Sequence, residues 1–189
     1  MKILVVGSGG REHAIIRALK KNPKAETIYA LPGNGGIAAD AICVEGSATD
    51  IDRVVSFSKD NGIDFVVVAP DNPLVLGMVD ALNEAGIATF GPRANAAILE
   101  GSKVFSKNLM KKYGIPTARY ETFDDAHAAV AYIEKMNEYP VVIKADGLAL
   151  GKGVIIAQNF AEAQDAVKSI MEDKAFGASG NHIVVEQFL

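Results

Sequence analysis

Ile3-Leu4-Val5-Val6-Gly7-Ser8-Gly9-Gly10-Arg11-Glu12-His13 stands at the head of the chain. Four aliphatic residues in succession read as a strand buried on both faces, and the glycines that end it precede Ala14, Ile15, Ala18 and Leu19 at helical spacing. A strand joined to a helix by a glycine turn is half of a βαβ unit. The alternation continues with strands at Thr27 to Leu31 and Ala41 to Val44, a helix through Ile51, Val54, Val55 and Phe57 or Ser58, and a strand from Asp64 to Ala69. Thr49 with Asp52 reads as the cap of that helix and Asn61-Gly62 as its stop. Pro73 opens a helix through Leu74, Met78, Ala81 and Leu82, and Ile87 to Phe90 closes a parallel sheet. A further helix through Val104, Phe105 and Leu109 stops at Gly114 with Pro116 behind it, which places a domain boundary near there.

Beyond it the pattern becomes α+β. A helix runs from about Asp125 to Met136, strands from Val141 to Lys144 and Val154 to Ala157 flank a glycine-rich loop, and a helix from Phe160 to Met171 precedes a strand from Ile183 to Glu186. Two strands joined by one short loop are antiparallel neighbours. The chain stops in or just after an apolar strand, which reads as a cut inside a longer protein.

The 189 residues are 49% hydrophobic and 22% charged, a globular composition. Nineteen Lys and Arg against 23 Asp and Glu leave a net charge of -4, which lacks the positive field that non-specific nucleic-acid binding requires. No apolar run reaches the length that spans a bilayer. The lone Cys43 excludes an internal disulfide framework, and its apolar surroundings predict a buried, inert thiol in a reducing compartment.

Two glycine loops are the candidate sites. Gly7-x-Gly9 would aim backbone amides and a helix N-terminus at an anion, but Glu12 stands where a dinucleotide fingerprint has its third glycine, and no carboxylate ends the second strand. The loop reads as an anion site without a dinucleotide, or as nothing more than a tight turn. Gly33-Asn34-Gly35-Gly36 and Asp71-Asn72 follow strands on the same carboxyl edge, and both would also serve as plain turns. In Gly147-Leu148-Ala149-Leu150-Gly151-Lys152-Gly153 the spacing is not that of a Walker loop, and no helix follows. It reads as a hairpin flap whose amides and Lys152, with Lys144 and Lys103, would close over a triphosphate.

Six motifs in order carry a family resemblance: Val5 to His13, Pro32 to Gly36, Leu99-Glu100-Gly101-Ser102-Lys103, Pro140 to Leu148, Gly151-Lys152-Gly153-Val154, and Val185-Glu186-Gln187-Phe188-Leu189. Over its whole length the chain resembles the N-terminal part of the glycinamide ribonucleotide synthetase (phosphoribosylamine-glycine ligase) family of ATP-grasp enzymes. That resemblance implies a Rossmann-like, pre-ATP-grasp domain at 1–118, then a small α+β ATP-grasp lid at 119–189, truncated before the main ATP-grasp sheet. It implies that Gly9, Gly10, Arg11, Glu12, Asn34, Gly35 and Asp71 hold 5-phosphoribosylamine. ATP would fall to Lys103, Lys144, Gly151, Lys152 and Gly153, with Glu186 in the hinge strand and the backbone of Phe188 and Leu189 at the adenine edge. The implied reaction is ATP-dependent ligation of glycine to 5-phosphoribosylamine in purine biosynthesis, by a cytoplasmic monomer that binds neither nucleic acid nor membrane. Mg2+ or Mn2+ would be held by residues past position 189, so the fragment alone would be inactive. Two departures stand out: Asp71 where the family has Glu, and Gln187 where Glu is common. The alternatives are another purine-pathway ATP-grasp ligase and a non-catalytic module that senses a phosphorylated sugar or nucleotide.

Overall fold

The structure is a computed structural model that describes residues 1–148 and 152–189, and the chain divides into two compact units, 1–97 and 98–189. The division falls some twenty residues before the boundary predicted near 118. The helix Lys103–Tyr113 belongs with the second unit because its first turn is bonded to Asp146 and Gly147 of that unit.

In the first unit, β1 (Lys2–Gly7), β2 (Thr27–Pro32), β3 (Ile42–Cys43), β4 (Phe65–Val68) and β5 (Ala88–Phe90) form a parallel sheet in the order β3-β2-β1-β4-β5. The strands read as continuous apolar runs because both faces are covered. Leu4, Val6, Leu31, Val66 and Val68 meet Val54 and Phe57 of α2 (Ile51–Asp60) and Met78, Val79 and Leu82 of α4 (Met78–Glu84). On the other face Ile3, Val5, Ile28, Ala30 and Val67 meet Ile16 of α1 (Gly10–Leu19) and Ile37. The strand order reverses between β1 and β4, so the loops after these two strands form the crevice where open parallel sheets bind ligands.

Three local expectations are corrected. Cys43 is exposed, because β3 is a two-residue edge strand with a neighbour on one side only. Asp50, not Thr49, caps α2 by accepting from the Arg53 N–H. The helix expected from Pro73 onward is two pieces, α3 (Asp71–Val75) and α4, because Gly77 turns the chain with φ +90°.

The division in sequence falls within α5 (Ala94–Gly101), and α6 (Lys103–Tyr113) ends at Gly114 in the left-handed region, as its sequence predicts. The second unit holds an antiparallel sheet, β6 (Tyr120–Phe123), β9 (Ile183–Gln187), β7 (Val141–Ala145) and β8 (Val154–Ala157), in that spatial order. Alternate residues point to opposite faces. Val141, Ile143, Ala145, Ala157, Ile183 and Val185 face α7 (Ala126–Met136) and α8 (Phe160–Val167) in one core. The register places Tyr120, Glu186, Val142 and Ile156 in one cross-strand row and Thr122, Val184, Lys144 and Val154 in the next, all on the opposite face.

Candidate functional site

At the carboxyl edge of the parallel sheet, α1 begins at Gly10 with Gly9 as its extended cap residue. Glu12 folds back on this turn: its Oε2 accepts from the Gly9 N–H at 2.5 Å, and the side chain is 4% exposed. This explains the glycines before it. A Cβ on Gly7, which has φ +125°, would stand 2.6 Å from Glu12 Cγ and 2.8 Å from Pro70 Cγ, and one on Gly9 would meet Glu12 Oε2 at 2.7 Å. The other Glu12 oxygen, Oε1, is buried without a hydrogen-bond partner among the described residues. The amides of the first helical turn lack intrahelical acceptors, and a Cβ on Gly10 would meet nothing within 4 Å, so the approach to that turn is open.

The second glycine loop comes to the first. Asn34 donates from Nδ2 to the Ser8 carbonyl at 2.6 Å and accepts at Oδ1 from the Ile37 N–H at 2.9 Å, which uses both ends of its amide. Gly35 has open space where a Cβ would be. Arg11 and Asp71, from the two sides of the switch point, lie 3.7 Å apart, both well exposed. His13 Nε2 lies 2.9 Å from Asp40 Oδ2, and Lys20 donates to Asp40 Oδ1 at 2.7 Å. These lysine and histidine contacts hold the Asp40 carboxyl at about 2, against an ordinary 3.8.

The second unit gathers charge at the N-terminus of α6. Ser102 caps the helix by accepting from the Phe105 N–H, and its hydroxyl donates to Asp146 Oδ2 at 3.0 Å, while Asp146 Oδ1 accepts from the Val104 N–H at 3.1 Å. A cation at this end of a helix opposes the dipole, and the Asp146 carboxylate offsets it. Lys103 reaches past Asp146 to donate to the Gly147 carbonyl at 2.8 Å. Burial and the nearby Lys144 lower its pKa, and Asp146 acts the other way. Gly147 has φ +94°, and a Cβ there would stand 2.8 Å from Ser179 Oγ.

Below Gly147 lies a charged triad. Glu186, 5% exposed on β9, is bridged by Lys144 of β7 at Oε1 and by Lys107 of α6 at Oε2. The Lys107 contact, 2.5 Å long, lies off the direction of a good hydrogen bond and is ionic. Burial pushes the Glu186 carboxyl up, but the two lysines outweigh it and the net shift is downward. With Lys103, three ammonium groups share this space with the carboxylates of Glu186 and Asp146, and Glu100 also acts on Lys103. Beside Lys144 on the same face, Val154 and Ile156 are 40% and 46% exposed, an apolar surface next to the clustered lysines.

Of the residues singled out from the sequence, Gly9, Gly10, Arg11, Glu12, Asn34, Gly35 and Asp71 gather at one edge of the first sheet. Lys103, Lys144 and Glu186 gather in the second unit. Gly153, buried, closes the loop through its carbonyl to the Ala145 N–H at 2.8 Å, while Lys152, Phe188 and Leu189 are exposed. Gly151 lies outside the described residues. Lys107, Asp146, Val154 and Ile156 were not foreseen as site residues. The Lys103/Lys107 spacing of one helical turn is the signal that points to the first of these. Among the described residues, no group of three or more His, Cys, Asp or Glu stands together as metal ligands, and no helix is long and apolar enough to cross a membrane.

Residues 1–100 match the family described as "Phosphoribosylglycinamide synthetase, N domain", and residues 101–189 match "Phosphoribosylglycinamide synthetase, ATP-grasp (A) domain". The chain is 46% identical over its full length to a phosphoribosylamine-glycine ligase of Vibrio cholerae, covering 44% of that protein. It is 50% identical to one of Listeria monocytogenes, covering 45%. The crystal structure of phosphoribosylamine-glycine ligase from Thermotoga maritima superposes on the whole chain with a TM-score of 0.80 at 31% identity, over 44% of its own length. The chain therefore spans less than half the length of the curated relatives it matches.

Proposed function

Because the chain belongs to the phosphoribosylglycinamide synthetase family, we propose that it is the N-terminal part of a phosphoribosylamine-glycine ligase. The reaction joins glycine to 5-phosphoribosylamine at the expense of ATP. A glycine carboxylate oxygen attacks the γ-phosphorus and ADP leaves; the amine nitrogen then attacks the acyl carbon and phosphate leaves. Activation is needed because a carboxylate by itself offers only an oxide leaving group.

The observation that carries this reading is the lysine cluster of the second unit. Three ammonium groups are brought together beside exposed Val154 and Ile156, a surface that suits phosphoryl oxygens and a flat apolar base together. In this reading Lys103, Lys144 and Lys152 neutralise phosphate, and the backbone of Phe188 and Leu189 meets the adenine edge. The first unit takes the amino sugar phosphate. The open first turn of α1 and Arg11 suit its phosphate, and the unpartnered Glu12 Oε1, with Asp71 and Asn34, suits its hydroxyls or amine. The partners are then small molecules, the protein a cytoplasmic monomer, and the Mg2+ or Mn2+ that accompanies ATP is held outside these residues; no step here is assigned to it.

The test is formation of glycinamide ribonucleotide by the full-length protein from ATP, glycine and freshly generated 5-phosphoribosylamine. Lys144→Met should abolish most turnover, and the 189 residues alone should give none. Unchanged turnover in Lys144→Met removes that lysine from the phosphate site, and a wild type that releases ADP with a different carboxylate or amine replaces the substrate assignment.

A further inference from the structure

The triad around Glu186 holds one lysine more than its carboxylate needs, and the two lysines are not equivalent. Lys107, from α6, has a side chain 13% exposed and also donates to Thr117 Oγ1 at 2.8 Å, with its ammonium 5.3 Å from the centre of the Tyr120 ring. Three groups, the Glu186 carboxylate, the Thr117 hydroxyl and the Tyr120 ring, fix it where it is. Lys144, from β7, has a side chain 27% exposed and, among the described residues, no hydrogen-bond or ion partner besides Glu186. It stands on the side of Lys103 and the Gly147 loop.

A buried carboxylate cannot be stripped of its counter-charge without a large penalty. A single lysine paired with Glu186 would therefore be committed to it and unable to serve any ligand. The second lysine removes that commitment. We propose that Lys107 is a positioning residue that keeps Glu186 ionised and paired, so that Lys144 is free to exchange from Glu186 to the phosphoryl oxygens of a nucleoside triphosphate. This rests on the nucleotide reading of this face. The elements packed around Glu186 carry Tyr120 and Glu121 on β6, Lys144 on β7, and Lys103, Lys107, Lys111, Lys112 and Tyr113 on α6, with Asp146 beyond Lys103; of these Lys107 and Lys144 act on its carboxylate, and Glu121 lies in the Val185 row on the other face. No carboxylate stands against Glu186 among the described residues, so a proton taken up there on losing its lysines belongs to Glu186 itself.

That assignment gives an experiment with a sign. In Lys107→Met, moving Lys144 to phosphate leaves Glu186 unpaired and raises its pKa in the bound state, so binding takes up a proton and tightens as pH falls. The probe is the magnesium complex of a non-hydrolysable ATP analogue, adenylyl imidodiphosphate. It is titrated calorimetrically into the full-length protein from about pH 6 to about pH 9 in buffers of different ionisation enthalpy. The wild type should show only the proton balance of the analogue. Lys107→Met should take up close to one further proton and lose affinity by up to about tenfold per pH unit toward alkaline pH. Lys107→Arg should return to wild type. An equal loss of affinity at every pH with no extra proton overturns the role of Lys107. If Lys107→Met does not fold, Lys144→Met decides. With Lys107 still holding Glu186, it should bind more weakly but with the wild-type proton count, and extra uptake there overturns the inference. A wild type that does not bind the analogue at all overturns the nucleotide reading as well.

Discussion

In the parallel sheet, Leu4 and Val5 are neighbours in sequence and both fully buried, one under α2 and α4, the other under α1. In the antiparallel sheet, Ile143 is fully buried but its neighbour Lys144 keeps a side chain 27% exposed. The first sheet spends both faces on cohesion, which leaves only its carboxyl edge for a ligand, and the groups offered there are amides, an arginine and loop carboxylates. The second buries one face wholly against its helices, while its other face mixes buried Val142 and Val184 with the charged Lys144 and Glu186. The chemistry of each unit follows from how many faces its sheet has to spare.

The largest effects should fall on the faces that both sheets bury. Leu4→Ala and Ile143→Ala should each cost about 3 kcal/mol of unfolding free energy in urea, and Val5→Ala about 2 kcal/mol. At the second sheet's other face the cost should move from stability to turnover. Lys144→Met should stay within about 1 kcal/mol of wild type, because Lys107 still pairs Glu186, while turnover of the full-length protein drops about a hundredfold or more. If Lys144→Met unfolds as readily as Val5→Ala, the two sheets are not used differently and the comparison fails.

This contrast also decides what could be read in advance. The parallel sheet was legible because doubly buried strands announce themselves as unbroken aliphatic runs, Ile3 to Val6 and Phe65 to Val68. β6 was not, because Tyr120 to Phe123 has no such run and becomes a strand only by pairing with β9, distant in sequence. Cys43 misled for a related reason. Its apolar neighbours suggested burial, but a strand of two residues at a sheet edge cannot cover them. Among site residues the backbone loops showed through their glycines. Lys107 did not, since a lysine on an amphipathic helix reads as solvated until the fold brings Glu186 against it.

Gly7→Ala sharpens the account of the first sheet's edge. The added Cβ would sit 2.6 Å from Glu12 Cγ in a backbone with φ +125°, and the loss should be about 2 kcal/mol, whereas Gly10→Ala, with nothing within 4 Å, should be near neutral. Equal costs would mean that Glu12 is free to move off the turn. On the second sheet's open face, Ile156→Ala should change stability by less than about 1 kcal/mol, since the side chain is 46% exposed, and weaken binding of the ATP analogue several-fold.

The smallest effect compares two carboxylates that are both held below their ordinary range, Asp40 in the first unit and Glu186 in the second. For each, the folded state binds its proton less readily than the unfolded chain. The stabilisation is therefore complete above the unfolded pKa and disappears as pH falls through the folded one. For Asp40 that window runs from the ordinary 3.8 down to about 2. The gap in unfolding free energy between wild type and Asp40→Asn should narrow across it. Asp40 and its partner Lys20 keep side chains 23% and 44% exposed, so added salt should also shrink the gap at neutral pH. Glu186 and Lys107 have side chains 6% and 13% exposed, and salt should leave the gap between wild type and Glu186→Gln almost unchanged. Equal salt sensitivity in the two pairs would put water around Glu186 and remove the buried charge on which the release of Lys144 depends.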